Sequence, residues 1–139
     1  MKLDQKLVDA AINLMKLRFP AGPGGAAALY IEDGQILTSI GLEGLLHDSA
    51  NLCHEMGAIL EAFKLNKKVT ASVCVWRESE NSPVFILSPC GMCQERLMMW
   101  GESVEAAVPL SDNPTKWESR TLMEIQPYYW GRPFGRPSA

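Results

Sequence analysis

Residues 53–76 read CHEMGAILEAFKLNKKVTASVCVW, and two different periodicities meet in this stretch. In its first half, apolar residues recur every three or four positions, as on one face of an amphipathic helix. From Val69 onward the stretch is rich in β-branched and other apolar residues, which is typical of a buried central strand. We therefore predict a helix over 53–66 and a strand over 69–76, a pairing that favours a layered α/β fold.

The rest of the chain continues this alternation of helices and strands. Asp33-Gly34 lies between two strand-like runs and is typical of a tight hairpin, and Pro20 ends the first helix. The other predicted elements are a helix over 3–18, strands over 26–32, 35–40, 84–87 and 104–108, and helices over 91–100 and 117–125. The 139 residues fit a single domain over 1–139, in which about 131–139 form a loosely ordered tail.

The composition argues against several classes of protein. A formal net charge of −3 does not suit a protein that grips a nucleic-acid backbone, because that affinity depends on clustered Lys and Arg. The first apolar stretch, over 3–19, is interrupted by charged residues, so it is neither a secretion signal nor a membrane span. We expect a cytoplasmic protein whose four cysteines serve as metal ligands, catalytic groups or buried thiols rather than as disulfides.

Three of the cysteines lie in two short segments that suit metal binding. Cys90 and Cys93 form a Cys-x-x-Cys pair at the start of a predicted helix, where both sulfurs reach a common side and the helix N-terminus favours thiolates. Cys53 supplies a third sulfur at the start of another predicted helix. Three protein ligands leave Zn²⁺ with an open fourth position, which is the arrangement of catalytic sites that activate water. We therefore predict a catalytic zinc site at these cysteines.

Glu55 and His54 follow Cys53 directly, and their spacing indicates different roles. A carboxylate two residues after a ligand can exchange protons with water and substrate, and ligand-x-Glu followed by Pro-Cys-x-x-Cys is the signature of zinc deaminases. Adjacent helical residues point about 100° apart, so only one of Cys53 and His54 can face the metal while Glu55 keeps its place. The spacing favours Cys53 as ligand, Glu55 as the catalytic group and His54 as part of a pocket wall or surface.

The alternative is a closed four-thiolate zinc site, or simply a set of buried thiols. A closed site would recruit Cys74 from the predicted strand over 69–76 and leave Glu55 without a role. The protein would then be a non-catalytic, zinc-stabilised interaction module. Cys74 by itself is more typical of a small core residue.

The two segments resemble motifs of the cytidine deaminase superfamily. Cys53-His54-Glu55 is similar to its Cys-x-Glu motif, and residues 88–94, SPCGMCQ, are similar to its Ser-Pro-Cys-Gly-x-Cys segment. The resemblance covers nearly the whole chain and is strongest for the small three-cysteine branch, which contains homotetrameric cytidine deaminases and blasticidin-S deaminase. It implies a three-layer α/β/α fold with a mixed central sheet of roughly five strands. It also implies a homo-oligomer, either a tetramer or a dimer.

The resemblance further implies which residues contact a substrate. The backbone near Ser88 and at His54 would orient the base. Glu43 would contact the sugar or an amine, the alternative being a solvated loop residue. Trp130 lies in an aromatic C-terminus similar to that of this branch, where a ring covers the substrate pocket; the alternative is that these rings pack under the sheet.

Residues 41–44, GLEG, depart from the family pattern Asn-x-Glu-Asn, in which the Asn and the Glu hold a ribose hydroxyl. Gly41 has no side chain to donate a hydrogen bond, and a site that lacks one such bond loses discrimination. Pro23 lies near the position where the family places a Phe against the pyrimidine. These differences leave room for a substrate without a standard ribose.

Charge compensation is a second departure from the family. Three thiolates on Zn²⁺ leave one net negative charge, which the tetrameric enzymes ease with an Arg directly after the Glu. Met56 occupies that position here. Arg96 lies three residues after Cys93, on the same helical face, and can donate a hydrogen bond to a ligand sulfur instead. The alternative for Arg96 is an ordinary surface residue paired with a nearby Glu.

The resemblance implies a hydrolase acting on C–N bonds of cyclic amidines. The expected reaction converts the 4-amino group of a cytosine-type nucleoside or analogue to a carbonyl, with release of ammonia. The second possibility is a deaminase of blasticidin S or another aminated base. In either case we expect Zn²⁺ as cofactor, a small nucleoside-like substrate, and neither nucleic acid nor membrane as partner.

Overall fold

The computed structural model describes residues 2–44 and 47–137. Its helices are α1 (Gln5–Arg18), α2 (Met56–Lys64), α3 (Gly91–Leu97) and the single turn α4 (Leu122–Ile125). Its strands are β1 (Gly24–Ile31), β2 (Ile36–Ser39), β3 (Val69–Arg77), β4 (Phe85–Leu87), β5 (Glu105–Leu110) and β6 (Asn113–Thr121). Short 3₁₀ segments cover Asp48–Ala50, Met98–Trp100 and Arg132–Phe134.

The strands form one mixed sheet in the order β2-β1-β3-β5-β6, and β4 also pairs with β3. The β3–β5 pair is parallel, and the other pairs are antiparallel. Because a parallel connection needs a crossover, the chain passes through α3 between these two strands. The mixed sheet with flanking helices confirms the predicted fold class.

Every residue of β1 is buried, because both faces of the sheet are covered by helices. Ala27, Leu29 and Ile31 belong to the core that also contains residues of α2 and α3. Ala26, Ala28 and Tyr30 alternate with them and belong to the core formed with α1. The alternation of side chains along the strand therefore produces the three layers.

The predicted helix over 117–125 is wrong. Most of that segment belongs to β6, which pairs with β5 from Glu105↔Thr121 to Leu110↔Asn113, and only the single turn of α4 is helical. The segment pairs with β5 because strand pairing depends on tertiary contacts, which outweigh local helix propensity. The prediction of roughly five strands therefore lacked one strand at the sheet edge.

Several element boundaries also differ from the predicted ones. α2 begins at Met56, three residues later than the predicted start, so Cys53-His54-Glu55 form a turn that leads into the helix. α3 ends at Leu97 and continues as the 3₁₀ segment Met98–Trp100. Cys53 therefore lies in the turn before α2, and Cys90 and Cys93 lie at the start of α3. At these positions backbone N–H groups are free of intrahelical hydrogen bonds.

The tail proposed for about 131–139 stays a prediction. In its described part, a 3₁₀ turn follows Gly131, and the Arg136 N–H donates to the Gly131 carbonyl. Residues 138–139 lie outside the described part of the chain. Within residues 2–44 and 47–137, no helix combines the length and apolar character that crossing a membrane requires.

Candidate active site

The sulfurs of Cys53, Cys90 and Cys93, the three-cysteine cluster, lie within 4.8 Å of one another. The Sγ atoms of Cys53 and Cys90 are 3.2 Å apart. Tetrahedral zinc with zinc–sulfur distances of about 2.3 Å separates its sulfur ligands by about 3.8 Å. The separations within the cluster, from 3.2 Å up to at most 4.8 Å, lie on both sides of this value, so the three cysteines could hold the metal that the sequence motifs predict.

Local backbone structure holds these sulfurs in place. Cys90 is the extended residue that precedes α3, and its carbonyl accepts from the Gln94 N–H at 2.8 Å. The Gln94 side chain also donates to the Pro89 carbonyl at 2.8 Å, which fixes the approach to the helix. On the other side, the Met56 N–H donates to the Cys53 carbonyl at 3.1 Å and closes the turn before α2.

The three thiols differ in acidity. Burial raises the pKa of Cys53, and burial together with the charge of Glu55 raises the pKa of Cys93. Burial also acts to raise the pKa of Cys90, but backbone N–H groups of Cys93 and Met92 and the neighbouring thiols hold it below its ordinary value. A metal at this cluster would have to displace protons from Cys53 and Cys93, so its binding is coupled to proton release.

Glu55 is a buried carboxylate beside this cluster, with 3% of its surface exposed. Burial raises the pKa of Glu55, although its hydrogen bond with the Cys74 thiol and the charge of Arg96 act in the opposite direction. Cys74 is thus a partner of Glu55 and is not among the three clustered sulfurs. Among the described residues the cluster therefore offers three sulfurs with a carboxylate beside them, and Cys74 does not complete a four-thiolate set.

Arg96 donates from Nη1 to the Cys93 Sγ at 3.5 Å. Among the ion pairs of the described residues, none involves Arg96, so it is not the ordinary surface pair considered as its alternative. Met56, where the family resemblance would place an Arg, is half-buried and packs against the core. The positive charge next to the sulfurs therefore comes from α3 rather than from α2.

The imidazole of His54 contacts the loop after β2 and is not part of the three-cysteine cluster. Its Nδ1 accepts from the Gly41 N–H at 3.0 Å, and its Nε2 lies 2.6 Å from Oε1 of Glu43. Ser39 Oγ donates to the His54 carbonyl at 2.6 Å. Both ring nitrogens are therefore engaged by the segment that follows β2.

A cavity of about 420 Å³ lies next to this imidazole. Glu43 and His54, both predicted from the resemblance to contact a substrate, line it together. The other lining residues come from the end of α1, the start of β1 and the same loop: Arg18, Phe19, Pro23, Gly24, Ile40, Gly41, Leu42 and Gly44. Sequence reasoning missed Arg18 and Phe19, because no motif marks the end of a helix as a pocket wall.

Ser88 and Trp130 are not among the residues that line this cavity. Ser88 is exposed, two residues before Cys90. The Trp130 Nε1 donates to the Glu95 carboxylate on α3, and the Tyr129 hydroxyl donates to the same carboxylate. Tyr129 is buried in the core while Trp130 is exposed, so the first ring packs in the core and both rings bind the Glu95 carboxylate.

Comparison with known proteins gives a consistent set of structural neighbours. No family model matches the chain. No curated protein sequence matches it either. Among solved structures, the cytidine deaminase from Bacillus anthracis is 45% identical with a TM-score of 0.86, and the match covers 94% of this chain and 91% of that chain.

Two further neighbours are more distant in sequence. The cytidine deaminase from Mycobacterium leprae is 20% identical, with a TM-score of 0.66 over 91% of this chain and 99% of that chain. The cytidine deaminase from Burkholderia pseudomallei is 16% identical, with a TM-score of 0.67 over 93% of this chain and 100% of that chain. At these identities the two neighbours show a shared fold.

Proposed function

Because this chain belongs to the cytidine deaminase family, we propose that it is a zinc-dependent hydrolase that converts the 4-amino group of a cytosine-type nucleoside to a carbonyl and releases ammonia. The observation that carries this proposal is the buried Glu55 carboxylate beside the three-cysteine cluster. Burying a carboxylate costs free energy. A purely structural metal site does not require such a group, whereas a catalytic site does.

The residues of the chain divide the chemistry between them. Cys53, Cys90 and Cys93 would hold the zinc, which when bound supplies the Lewis acid that makes water a nucleophile at neutral pH. Glu55 takes one proton from the attacking water and delivers it to ring N3, and it then carries the second proton of that oxygen to the departing amine as the carbonyl forms. Its raised pKa supports this role, because a group that must both accept and release a proton works best with a pKa near the operating pH.

The test of this mechanism is the variant Glu55→Gln. We expect it to retain one zinc per chain while turnover of the substrate falls by about a thousand-fold, since the proton carrier is lost and the sulfurs are untouched. The matched control is Glu61→Gln, which changes an exposed carboxylate on α2 and should leave both quantities unchanged. Metal content and ammonia release measure the two effects, and full turnover by Glu55→Gln would contradict the mechanism.

A second candidate substrate class is an aminated base without a standard ribose, blasticidin S included. The observation that favours it is the pair of glycines in the cavity wall, Gly41 and Gly44, where no side chain can donate to a sugar. A screen of cytidine, deoxycytidine, cytosine, blasticidin S and aminated purines for ammonia release separates the two classes. A preference for cytidine over cytosine supports the nucleoside, and turnover of blasticidin S alone supports the analogue.

We also propose a homo-oligomer, either a tetramer or a dimer, which the family resemblance implies, and a cytoplasmic enzyme of nucleoside metabolism. Light scattering on the purified zinc-loaded protein measures the first property. The net charge of −3 supports the proposal that nucleic acid is not a partner.

A further inference from the structure

The contact between His54 and Glu43 has no part in the chemistry described so far. We propose that His54 is a positioning residue that fixes the Glu43 carboxylate in the cavity, so that its second oxygen accepts a hydrogen bond from a sugar hydroxyl of the substrate. This inference rests on the proposed nucleoside substrate. It makes the pair of His54 and Glu43 the determinant of preference for a hydroxylated sugar.

The hydrogen bonds around His54 define one tautomer of the ring. Because Nδ1 accepts from the Gly41 N–H, the ring proton resides on Nε2. That proton is donated to Oε1 of Glu43, 2.6 Å away. Ser39 holds the carbonyl of the same residue at 2.6 Å, so both the backbone and the ring of His54 are fixed.

The space that the ring occupies is provided by Gly25 at the start of β1. A β-carbon at Gly25 would lie 2.6 Å from the His54 Nε2 and 2.7 Å from the Val75 carbonyl oxygen. The imidazole is therefore packed directly against the backbone of β1, and only 12% of its side chain is exposed. A ring held this tightly is a rigid support for a flexible partner.

Glu43 is the flexible partner, because 52% of its side chain is exposed and it lies in a loop. An unsupported glutamate at such a position samples several rotamers, and ordering it on binding costs free energy. The hydrogen bond from His54 occupies Oε1 before any ligand arrives. Oε2 has no hydrogen-bond partner among the described residues, and Glu43 lines the cavity. A carboxylate oxygen accepts but cannot donate, so the group it recognises is a donor such as a hydroxyl.

A purely structural role for His54, in which it only stabilises the loop after β2, makes a different prediction. In that case, removing the His54 side chain lowers stability and zinc content and reduces kcat for every substrate. Loss of a positioning contact raises KM for substrates with sugar hydroxyls and leaves kcat and zinc content largely unchanged. The split between KM and kcat therefore separates the two roles.

The experiment compares zinc-loaded His54→Ala, His54→Gln, Glu43→Gln and the double variant His54→Ala/Glu43→Gln, with His47→Gln as the control at the other, exposed histidine. With cytidine, we expect His54→Ala and Glu43→Gln each to raise KM by about ten-fold, with kcat within about two-fold of the parent. His54→Gln keeps an N–H donor and should recover part of the loss. The double variant should be no worse than either single variant, because each single variant already disrupts the same hydrogen bond to the sugar hydroxyl.

We expect the contact to be made by the 2′- or 3′-hydroxyl, so with 2′,3′-dideoxycytidine, which keeps only the 5′-hydroxyl, all variants should resemble the parent. An unchanged KM for cytidine in His54→Ala overturns the proposal, and so do fully additive effects in the double variant. If His54→Ala loses zinc or fails to fold, Glu43→Gln still replaces the second acceptor oxygen that the sugar hydroxyl needs by an NH₂ donor. A KM at the parental value in that variant overturns the proposal equally.

A nitrogen-15 NMR measurement keeps this inference separable from the proposed function. The chain has two histidines, so His47→Gln assigns the His54 signals. We expect the Nε2–H tautomer in the parent and a shift of the Nε2 signal in Glu43→Gln. Finding the Nδ1–H tautomer overturns the pair whether or not the enzyme acts on nucleosides. A parent that deaminates no nucleoside contradicts the proposed function and, with it, the sugar contact, while the tautomer still decides the His54–Glu43 pair.

Discussion

At the scale of single residues, Gly41 shows why a sequence motif cannot simply be carried between relatives. A β-carbon there would lie 2.2 Å from the Leu52 carbonyl oxygen and 3.0 Å from backbone atoms of Cys53 and His54. The loop after β2 therefore lies directly against the turn that contains Cys53, one of the three clustered cysteines. The family resemblance aligns Gly41 with an Asn, but no side chain fits at this position without moving that turn.

This close approach predicts the outcome of restoring the family residue. We expect Gly41→Asn to lower the free energy of unfolding by about 1–3 kcal/mol and to reduce zinc content, because the new side chain displaces backbone rather than a flexible neighbour. The matched control is Gly44→Asn, since Gly44 has open space around it and Asn tolerates its positive φ of 70°. Urea unfolding and metal analysis measure both. A Gly41→Asn protein with full zinc and a lower KM for cytidine would contradict this account.

Arg96 is the second residue whose role depends on one contact. Because it donates to the Cys93 sulfur, we expect Arg96→Gln to weaken zinc retention by about ten-fold or more and to lower turnover. Arg120→Gln is the control, as that arginine is paired with Glu118 on the exposed edge of β6. Competition with a chelator measures retention. Unchanged zinc affinity and turnover in Arg96→Gln would remove Arg96 from the site.

The residue scale also shows what local sequence can and cannot predict. The spacing of Cys90 and Cys93 predicts that their sulfurs meet, because two intervening residues at a helix start fix the geometry, and the structure brings them together. The contact between His54 and Glu43 could not be predicted in this way. It joins a loop to a turn across the start of β1, and its geometry depends on a glycine in a third segment.

At the scale of elements, the boundary between β6 and α4 is set by Thr121. Its hydroxyl accepts from the Glu124 N–H while the Glu124 carboxylate accepts from the Thr121 N–H, which is a complete capping box. The predicted helix over 117–125 begins four residues before this cap. The Thr-x-x-Glu pattern was the available signal, since it marks a helix that starts at this point.

The capping box makes a prediction about stability. We expect Thr121→Ala to lower the free energy of unfolding by about 1 kcal/mol, because the Glu124 N–H then lacks a partner. Thr121→Ser keeps the acceptor oxygen and should lose much less. Chemical unfolding of the three proteins measures the difference, and equal losses in both variants would show that the methyl group rather than the cap matters.

The same box predicts a pH dependence. Its hydrogen bonds from the Thr121 N–H and hydroxyl hold the pKa of Glu124 below its ordinary value. A carboxyl with a lowered pKa in the folded state contributes stability that is fully present above its unfolded pKa and is lost as the pH falls through the folded pKa. The stability difference between the parent and Glu124→Gln should therefore be largest at neutral pH and shrink in acid. A difference that is constant across the acidic range would contradict this.

At the scale of the whole molecule, two cores on opposite faces of one sheet define the fold, and the C-terminal segment completes one of them. Tyr129 belongs to the core that contains residues of α2 and α3, with 6% of its surface exposed, whereas the adjacent Tyr128 is 96% exposed. The sequence could indicate an aromatic segment but not which ring turns inward, because that depends on how the segment leaves α4.

These neighbouring tyrosines form a natural matched pair. We expect Tyr129→Ala to lower the free energy of unfolding by about 3 kcal/mol or more, through loss of a buried ring and of its hydrogen bond to Glu95. Tyr128→Ala should change it by less than about 0.5 kcal/mol. Urea unfolding of both variants measures the contrast. Equal stabilities would mean that the C-terminal segment does not close the core.

The order of the strands has a kinetic consequence. The hairpins β1–β2 and β5–β6 are each closed by short connections and can form early, whereas β3 meets β5 only at Ala71↔Glu105 and Ser72↔Ala106. Joining these parts requires closing two loops of more than thirty residues, one between Ile31 and Val69 and one between Ala71 and Glu105. We expect these closures to be the slow steps of folding. Cys53 lies in the first of these loops, and Cys90 and Cys93 lie in the second. A metal with three sulfur ligands would thus bind tightly only after both loops have closed. The rate of metal uptake would then measure the rate at which the native state forms.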